Sequence, residues 1–287
     1  MIRKLAIIGV GLIGGSLARA LREKSAVKEV VGCGRSKANL KKAVELGVID
    51  SYTHDAGEAV KGADMIFLAV PLSAMAATFE AIKPQLADDA VITDGGSVKG
   101  SLVKDAIAVF GEMPSNFVPG HPIAGTEHNG VEASFPELYQ NRRTILTPLE
   151  VTDPDALQRV TEMWQLCGAE VTNMGVEHHD EVLAATSHLP HMLAFSLVDS
   201  LAQMKENDEI FRYAAGGFRD FTRIASSNPV MWRDICLANQ DALGDMLHRF
   251  ADDLTDLGNA LKEGDGHHLL EIFERAKSAR DRYIDST

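Results

Sequence analysis

Only three cysteines occur, at 33, 167 and 236, far apart and odd in number. That leaves no disulfide framework and no zinc-ligand spacing, and a reducing cytoplasm is the expected compartment. No apolar run reaches the roughly 18 residues of a membrane-crossing helix. The first fifteen residues pair an early Arg-Lys with an apolar run, yet that run ends in glycines without a small-residue cleavage pattern, so a strand and a turn are expected there and no targeting signal. Basic residues are in deficit, 28 Lys+Arg against 41 Asp+Glu, a net charge of −13. Nucleic acid and anionic membrane surfaces are therefore not expected partners, although a local cationic pocket remains compatible with this balance. Internal repeats and low-complexity segments are absent. What remains is a folded chain of 287 residues, 45% hydrophobic, long enough for two domains.

The N-terminal part alternates strand and helix. Leu5-Ala6-Ile7-Ile8 is a buried-strand run, followed by Gly9-Val10-Gly11-Leu12-Ile13-Gly14-Gly15 and a helical pattern over residues 16–23. In this setting Gly-x-Gly-x-x-Gly predicts a dinucleotide loop. Gly9 permits the turn, Gly11 admits the pyrophosphate, Gly14 lets helix and strand pack, and the helix N-terminus faces the phosphates. Leu12 and Ile13 belong to the same loop. Strands are expected at 30–32, 65–70 (closed by Val70-Pro71), 91–93, 143–146 and 170–172, with helices at 37–46, 75–82, 102–110 and 156–166. This alternation predicts a Rossmann-type, doubly wound, mostly parallel sheet. Its ligands would bind beyond the carboxyl ends of the strands, where Gly11, Pro71, Ser97 and His121 fall. An acid is expected after the second strand of an NAD-preferring fold; here the chain reads Gly32-Cys33-Gly34-Arg35-Ser36. Arg35 and Ser36 suit a ribose 2′-phosphate, a lean toward NADP, unless Arg35 stacks on adenine or is solvated.

Residues 116–118 form a short apolar run leading into Gly-His-Pro-Ile-Ala-Gly-Thr-Glu at 120–127, so His121 is expected where a strand ends and a loop begins. Imidazole changes charge near neutral pH, which suits proton transfer. Beyond about residue 174 the pattern becomes helical (179–204, 209–215, 231–262, 267–284), predicting an all-helical second domain over 174–287 after a dinucleotide domain over 1–173. Ser187-His188-Leu189-Pro190-His191 holds two histidines three apart, but Pro190 and the lack of further ligands argue against a metal site. Arg219 and Arg223, around Asp220, enter a helix, and one of them suits a carboxylate clamp with the other an ion-pair partner of Asp220. Trp232 suits core or interface packing.

Taken together, residues 9–15, DGGSVKG at 94–100, GHPIAGTE at 120–127, SHLPH at 187–191, FRDFTR at 218–223 and MWRD at 231–234 resemble the prephenate/arogenate (cyclohexadienyl) dehydrogenase family of tyrosine biosynthesis. The resemblance implies a Rossmann domain, a helical domain forming a homodimer, and an active site between them that uses NAD(P)+. By this likeness His121 accepts the ring C4 hydroxyl proton, and Ser97 bonds near that hydroxyl and the nicotinamide. Arg223 binds a substrate carboxylate, His191 and Ser187 approach the pyruvyl or alanyl side chain, and Thr126 lines the pocket. Glu127 and Asp220 would position Arg223, offsetting its charge if it is buried. The chain is too short for a fused chorismate mutase or a regulatory domain, so a single activity is expected. A β-hydroxyacid dehydrogenase would want a lysine near residues 184–195, which hold none. A non-catalytic nucleotide sensor would need the glycine loop but not the His, Ser and Arg set.

Overall fold

The computed structural model describes residues 1–126, 128–205 and 207–285. A six-stranded parallel sheet is built from β1 (Ile2–Ile8), β2 (Val27–Cys33), β3 (Ser51–Thr53), β4 (Met65–Leu68), β5 (Val91–Asp94) and β6 (Phe117–Val118), in the order β3-β2-β1-β4-β5-β6. Helices α1 (Leu12–Glu23), α2 (Lys37–Glu45), α3 (Ala56–Val60), α4 (Met75–Ile82), α5 (Gly100–Phe110) and α6 (Pro154–Leu166) lie along the chain between and after these strands. The central strands read as continuous apolar runs because both faces are covered. Alternate residues of β1 divide between two cores, Leu5 and Ile7 with Phe67 and Trp164, Ala6 and Ile8 with Phe79 and Phe117. After β3 the chain returns to pair β4 against the other side of β1. The crevice of such a sheet opens at this reversal, beyond Ile8 and Leu68.

The expected parallel sheet is present, but the strands expected at 143–146 and 170–172 do not join it. β7 (Gly120–Pro122), β8 (Arg143–Leu146) and β9 (Glu170–Asn173) form a separate three-stranded sheet, β7 antiparallel to β8 and β8 parallel to β9. Pro119, without an N–H, cannot donate to a ladder between β6 and β7, and the chain changes sheets there. His121 is consequently the middle residue of the short β7, opposite Ile145 and only 8% exposed, one residue before the strand gives way to the expected loop.

Further helices are α7 (Val176–Leu183), α8 (Leu189–Ala202), α9 (Asn207–Arg212), α10 (Gly216–Thr222), α11 (Pro229–Ala238), α12 (Gln240–Glu263) and α13 (Gly266–Asp285). The single helix expected at 179–204 is divided by a π-helical turn, Ala184–His188. Pro190 has no N–H for the carbonyl of Thr186 and its ring crowds that carbonyl, so the ladder widens. By contact the chain divides into two compact units, Met1–Gln240 and the segment from Asp241 onward. In the second unit, a 2.7 Å bond from His268 to Asp256 ties α13 to α12, while Leu254, Leu261, Leu270 and Phe273 are exposed. Among the described residues no helix is long and apolar enough to cross a membrane.

In the first unit, β5 and β7 are joined by a buried ion pair. Lys99 Nζ lies 2.5 Å from Asp94 Oδ2 and 2.6 Å from the Gly120 carbonyl, and both charged side chains are 0% exposed. Asp94 also accepts the Gly120 N–H (3.0 Å) and the Gly96 N–H (2.7 Å). Burial pulls the Lys99 pKa down and the adjacent Asp94 carboxylate opposes that. Lys99→Met, which leaves Asp94 buried without its cation, is expected to lower the unfolding free energy by about 3–5 kcal/mol in urea titrations. A loss below about 1 kcal/mol would show that Asp94 is not left as an uncompensated buried charge when the lysine is removed.

Candidate active site

The nucleotide end is built from the expected glycines. Gly9 has φ +103°, and a Cβ on it would lie 2.2 Å from the Ala69 carbonyl oxygen. At Gly14 a Cβ would meet the Gly9 oxygen at 2.5 Å and Ile7 Cγ2 at 2.7 Å, so helix and strand approach as closely as the motif requires. Around the Gly11 position there is open space for 4 Å. Gly11 is the N-cap of α1 and no side chain caps that end, leaving first-turn N–H groups for an anion. A cleft of about 530 Å³ borders this loop, lined by Gly9, Gly11, Arg35, Ser36, Asn39 and Ala69. The open backbone cradle at Gly11 fits a dinucleotide pyrophosphate. Leu12 puts its side chain into the core and the Ile13 carbonyl accepts the Tyr139 hydroxyl at 2.6 Å, so what these two have left for a ligand is their first-turn N–H groups. Val70 and Pro71 follow β4 at the same sheet edge, where Ala69 forms the wall.

Past β2, Arg35 is exposed, and Ser36 Oγ caps α2 by accepting the Asn39 N–H at 3.2 Å. Sequence reasoning missed Asn39. Its amide donates to the Val10 carbonyl (2.6 Å) and accepts from the Val131 N–H (3.1 Å), bracing the glycine loop. Only the Asn following the Arg-Ser pair hints at this, since the Val131 partner is 92 residues away.

At the centre, His121 Nδ1 lies 3.0 Å from His179 Nε2, and His179 Nδ1 lies 2.8 Å from Asp180 Oδ1. Asp180 accepts the N–H groups of Lys99 (2.9 Å) and Gly100 (2.7 Å) at the start of α5. Burial holds the His121 pKa well below 6.5, and the Lys99 ammonium and the rings of His179 and His188 push the same way, so the imidazole is neutral near pH 7. Neither His179 nor Asp180 stood out in the sequence beyond the His178-His179 doublet. Ser97 is half-buried between β5 and α5, on the segment that Asp94 and Lys99 pin beside Gly120.

A second cleft, about 390 Å³, is lined by Gly125, Thr126, His128, His191, Arg223 and Ser227. Three of the expected substrate residues, Thr126, His191 and Arg223, thus share one wall. His191 stacks on Trp232 with ring centroids 3.6 Å apart and planes at 19°, and its Nδ1 bonds the Ser187 carbonyl at 2.8 Å. That bond makes Nδ1 the protonated nitrogen and leaves Nε2 as an acceptor. Ser187 serves here through its carbonyl, and its side chain is half-buried. His188, by contrast, is buried against Asn239 Nδ2 at 3.1 Å, with a pKa lowered to about 4 chiefly by burial, so it supports the site from behind. Arg223 is exposed. Asp220 is also exposed and makes no ion pair among the described residues: α10 ends at Thr222, and Arg223 turns into a 3₁₀ segment along the cleft. Glu127 lies outside the described residues.

Two family models match the chain, "Prephenate dehydrogenase, nucleotide-binding domain" over residues 17–173 and "Prephenate dehydrogenase, dimerization domain" over residues 175–275. The chain belongs to the prephenate dehydrogenase family. It is 41% identical over 281 residues to the cyclohexadienyl dehydrogenase of Zymomonas mobilis, covering 97% of this chain and 95% of that one. It is 35% identical to the prephenate dehydrogenase of Bacillus subtilis, covering 96% and 75%. The crystal structure of the Aquifex aeolicus prephenate dehydrogenase with hydroxyphenyl propionate and NAD+ superposes with a TM-score of 0.90 at 37% identity, covering 98% of each chain. That of Synechocystis arogenate dehydrogenase superposes at 0.82 and 30%, covering 98% and 99%. The fold expected from the sequence, a Rossmann-like parallel sheet followed by helices, is the fold of this family. The first family model begins after the glycine loop, whose role therefore rests on its geometry. Because the Gly11 position opens into space, Gly11→Ala is expected to leave thermal stability unchanged while weakening nicotinamide-dinucleotide binding by at least about 10-fold in calorimetric titration. Unchanged binding would remove the loop from the cofactor site.

Proposed function

We propose that this chain catalyses the oxidative decarboxylation of prephenate, arogenate or both, passing hydride to NAD(P)+. The observation that carries this reading is a neutral, buried His121 held by His179, in a protein that also presents a dinucleotide cradle and an arginine-lined cleft. The relatives support it: the Aquifex neighbour was solved with a phenolic acid and NAD+. When bound, the nicotinamide supplies the hydride acceptor. His121 Nε2 takes the proton of the ring C4 hydroxyl as hydride leaves C4, and the ring carboxylate departs as CO2 to give an aromatic ring. Aromatisation supplies much of the driving force, so the protein chiefly orients the acid, accepts one proton and matches charge. Ser97 bonds near the hydroxyl and nicotinamide. Arg223 clamps a carboxylate, Thr126 lines the cleft, and His191, held by Trp232 and Ser187, meets the side chain.

For the cofactor we infer a lean toward NADP. Its support is the missing acid after β2 and the place of Arg35 and Ser36 on the cleft wall; the Ser36 oxygen already caps α2, so Arg35 is the main 2′-phosphate contact. We infer a dinucleotide domain over 1–173 and a helical domain over 174–287, with homodimerisation through the latter. Its support is the family description of that region and the exposed apolar residues of α12 and α13. A cytoplasmic site of action suits the three free cysteines.

The deciding assay follows nicotinamide reduction by ultraviolet absorbance with prephenate and arogenate, each with NAD+ and NADP+. Turnover of at least one acid is expected, fastest with NADP+, and His121→Asn should lower kcat by about 10²–10⁴-fold with cofactor affinity kept. Absence of reduction in all four mixtures, with cofactor bound, would overturn the reading. Separately, Arg223→Ala should raise KM about 10- to 100-fold with a smaller change in kcat, as expected for a lost charge-assisted bond to a carboxylate. An unmoved KM would transfer the clamp to another group.

A further inference from the structure

His179 and Asp180 are absent from the roles assigned above, yet they make the only side-chain hydrogen-bond path to His121 among the described residues. We propose that they are positioning residues that lock His121 in the tautomer with the proton on Nδ1, leaving an unprotonated Nε2 for the substrate hydroxyl. This role rests on reading His121 as the base.

Donors and acceptors fix each proton in turn. Asp180 is ionised: burial alone would raise its pKa, but the bonds from His179 and from the Lys99 and Gly100 N–H groups outweigh burial and hold it below the usual carboxylate range. An ionised carboxylate only accepts, so the proton on His179 must sit on Nδ1, 2.8 Å from Asp180 Oδ1. His179 Nε2 is then a lone pair. It faces His121 Nδ1 at 3.0 Å, which must therefore carry hydrogen. Nε2 of His121 is left as a lone pair with no protein partner among the described residues. The anchor itself cannot turn, because both oxygens of Asp180 are also held by the backbone at the start of α5.

The other charged or titratable groups facing His121 disfavour its protonated form: Lys99 from the segment before α5 and His188 from the π-helical turn. Proton uptake would place a cation among them. The bond to His179, itself bonded to the Asp180 carboxylate, gives that cation a negative partner one ring away. Bonds balance simply: the substrate O–H breaks, His121 Nε2–H forms, and no proton needs to leave Nδ1. The role resembles that of the aspartate in a Ser-His-Asp triad, which orients the base without becoming protonated.

The test has two independent arms. In ¹⁵N-histidine NMR of the intact protein, with His121 assigned by the signals lost in His121→Asn, Nδ1 should show the protonated-nitrogen shift and Nε2 the lone-pair shift, without any substrate. The second arm compares His179→Leu with His179→Gln, whose amide oxygen can stand where Nε2 stood. Leu should lower kcat by about 100-fold with dinucleotide Kd unmoved, and Gln should restore at least about 10-fold of that loss. A proton found on Nε2, or equal losses in the two variants, would overturn the proposal. Because the tautomer is read without turnover, a wild-type protein inactive on both cyclohexadienyl acids would defeat the proposed reaction, and the ¹⁵N shifts would still decide whether Nδ1 carries the proton.

Discussion

The arrangement around His121 depends on one buried ion pair. Lys99 and Asp94 hold a single residue, Gly120, by both of its backbone polar groups. Such a pair returns little net stability, since removing two charges from water costs about what their attraction regains. Its effect is geometric. A Cβ at Gly120 would come within 3.1 Å of the Asp94 carbonyl oxygen, so any larger residue would push β7 and β5 apart by a few tenths of an ångström. His121 is the next residue, and its place beside the carboxyl edge of the parallel sheet follows from that approach. The clamp also shapes the electrostatics: Asp94 compensates the Lys99 ammonium locally, and what remains of that charge helps keep His121 neutral.

The second support of the site comes from the π-helical turn. A regular helix through residues 176–202 would place His179, His188 and His191 by a uniform rotation of about 100° per residue. The insertion at Ala184–His188 breaks that regularity. His179 reaches His121, His188 is buried against Asn239, and His191 turns to the Arg223 cleft with Trp232 against its face. Three histidines within thirteen residues thereby serve three different ends. The proline that disturbs the ladder sits immediately before the one that lines the cleft.

Much of this was legible in the sequence where local chemistry decides the outcome. The runs at β1, β4 and β5 are buried on both faces and read as such, and the glycine loop carries its geometry in its spacing because backbone sterics at Gly9 and Gly14 admit nothing larger. Legibility ended where distant pairing overrides local preference. Gly120-His121-Pro122 has the composition of a loop, and it is a strand because β8 supplies the partner. The anchoring of α5 by Asp180 joins residues 81 apart, and nothing near Lys99 announces it. Spacing alone likewise does not show that a helix ends between Asp220 and Arg223, close together in one motif.

The same contrast separates the two ends of the site. The cofactor cradle is made of backbone, so it tolerates wide change in side chains and is announced by glycines alone. The centre around His121 is made of side chains that hold one another in series: Asp180 bonds His179, and His179 bonds His121. A chain of this kind works only if each member is shielded from water that would offer competing bonds. His179 is 0% exposed and His121 8%, inside a protein whose net charge is −13. An anionic substrate is therefore not drawn in by the overall charge. Positive charge is offered locally instead, by the exposed Arg223 on the second cleft, while the buried His121 stays neutral. The cationic cleft and the neutral, buried imidazole are thus separate features of the chain, one charged and open to solvent, the other uncharged and enclosed.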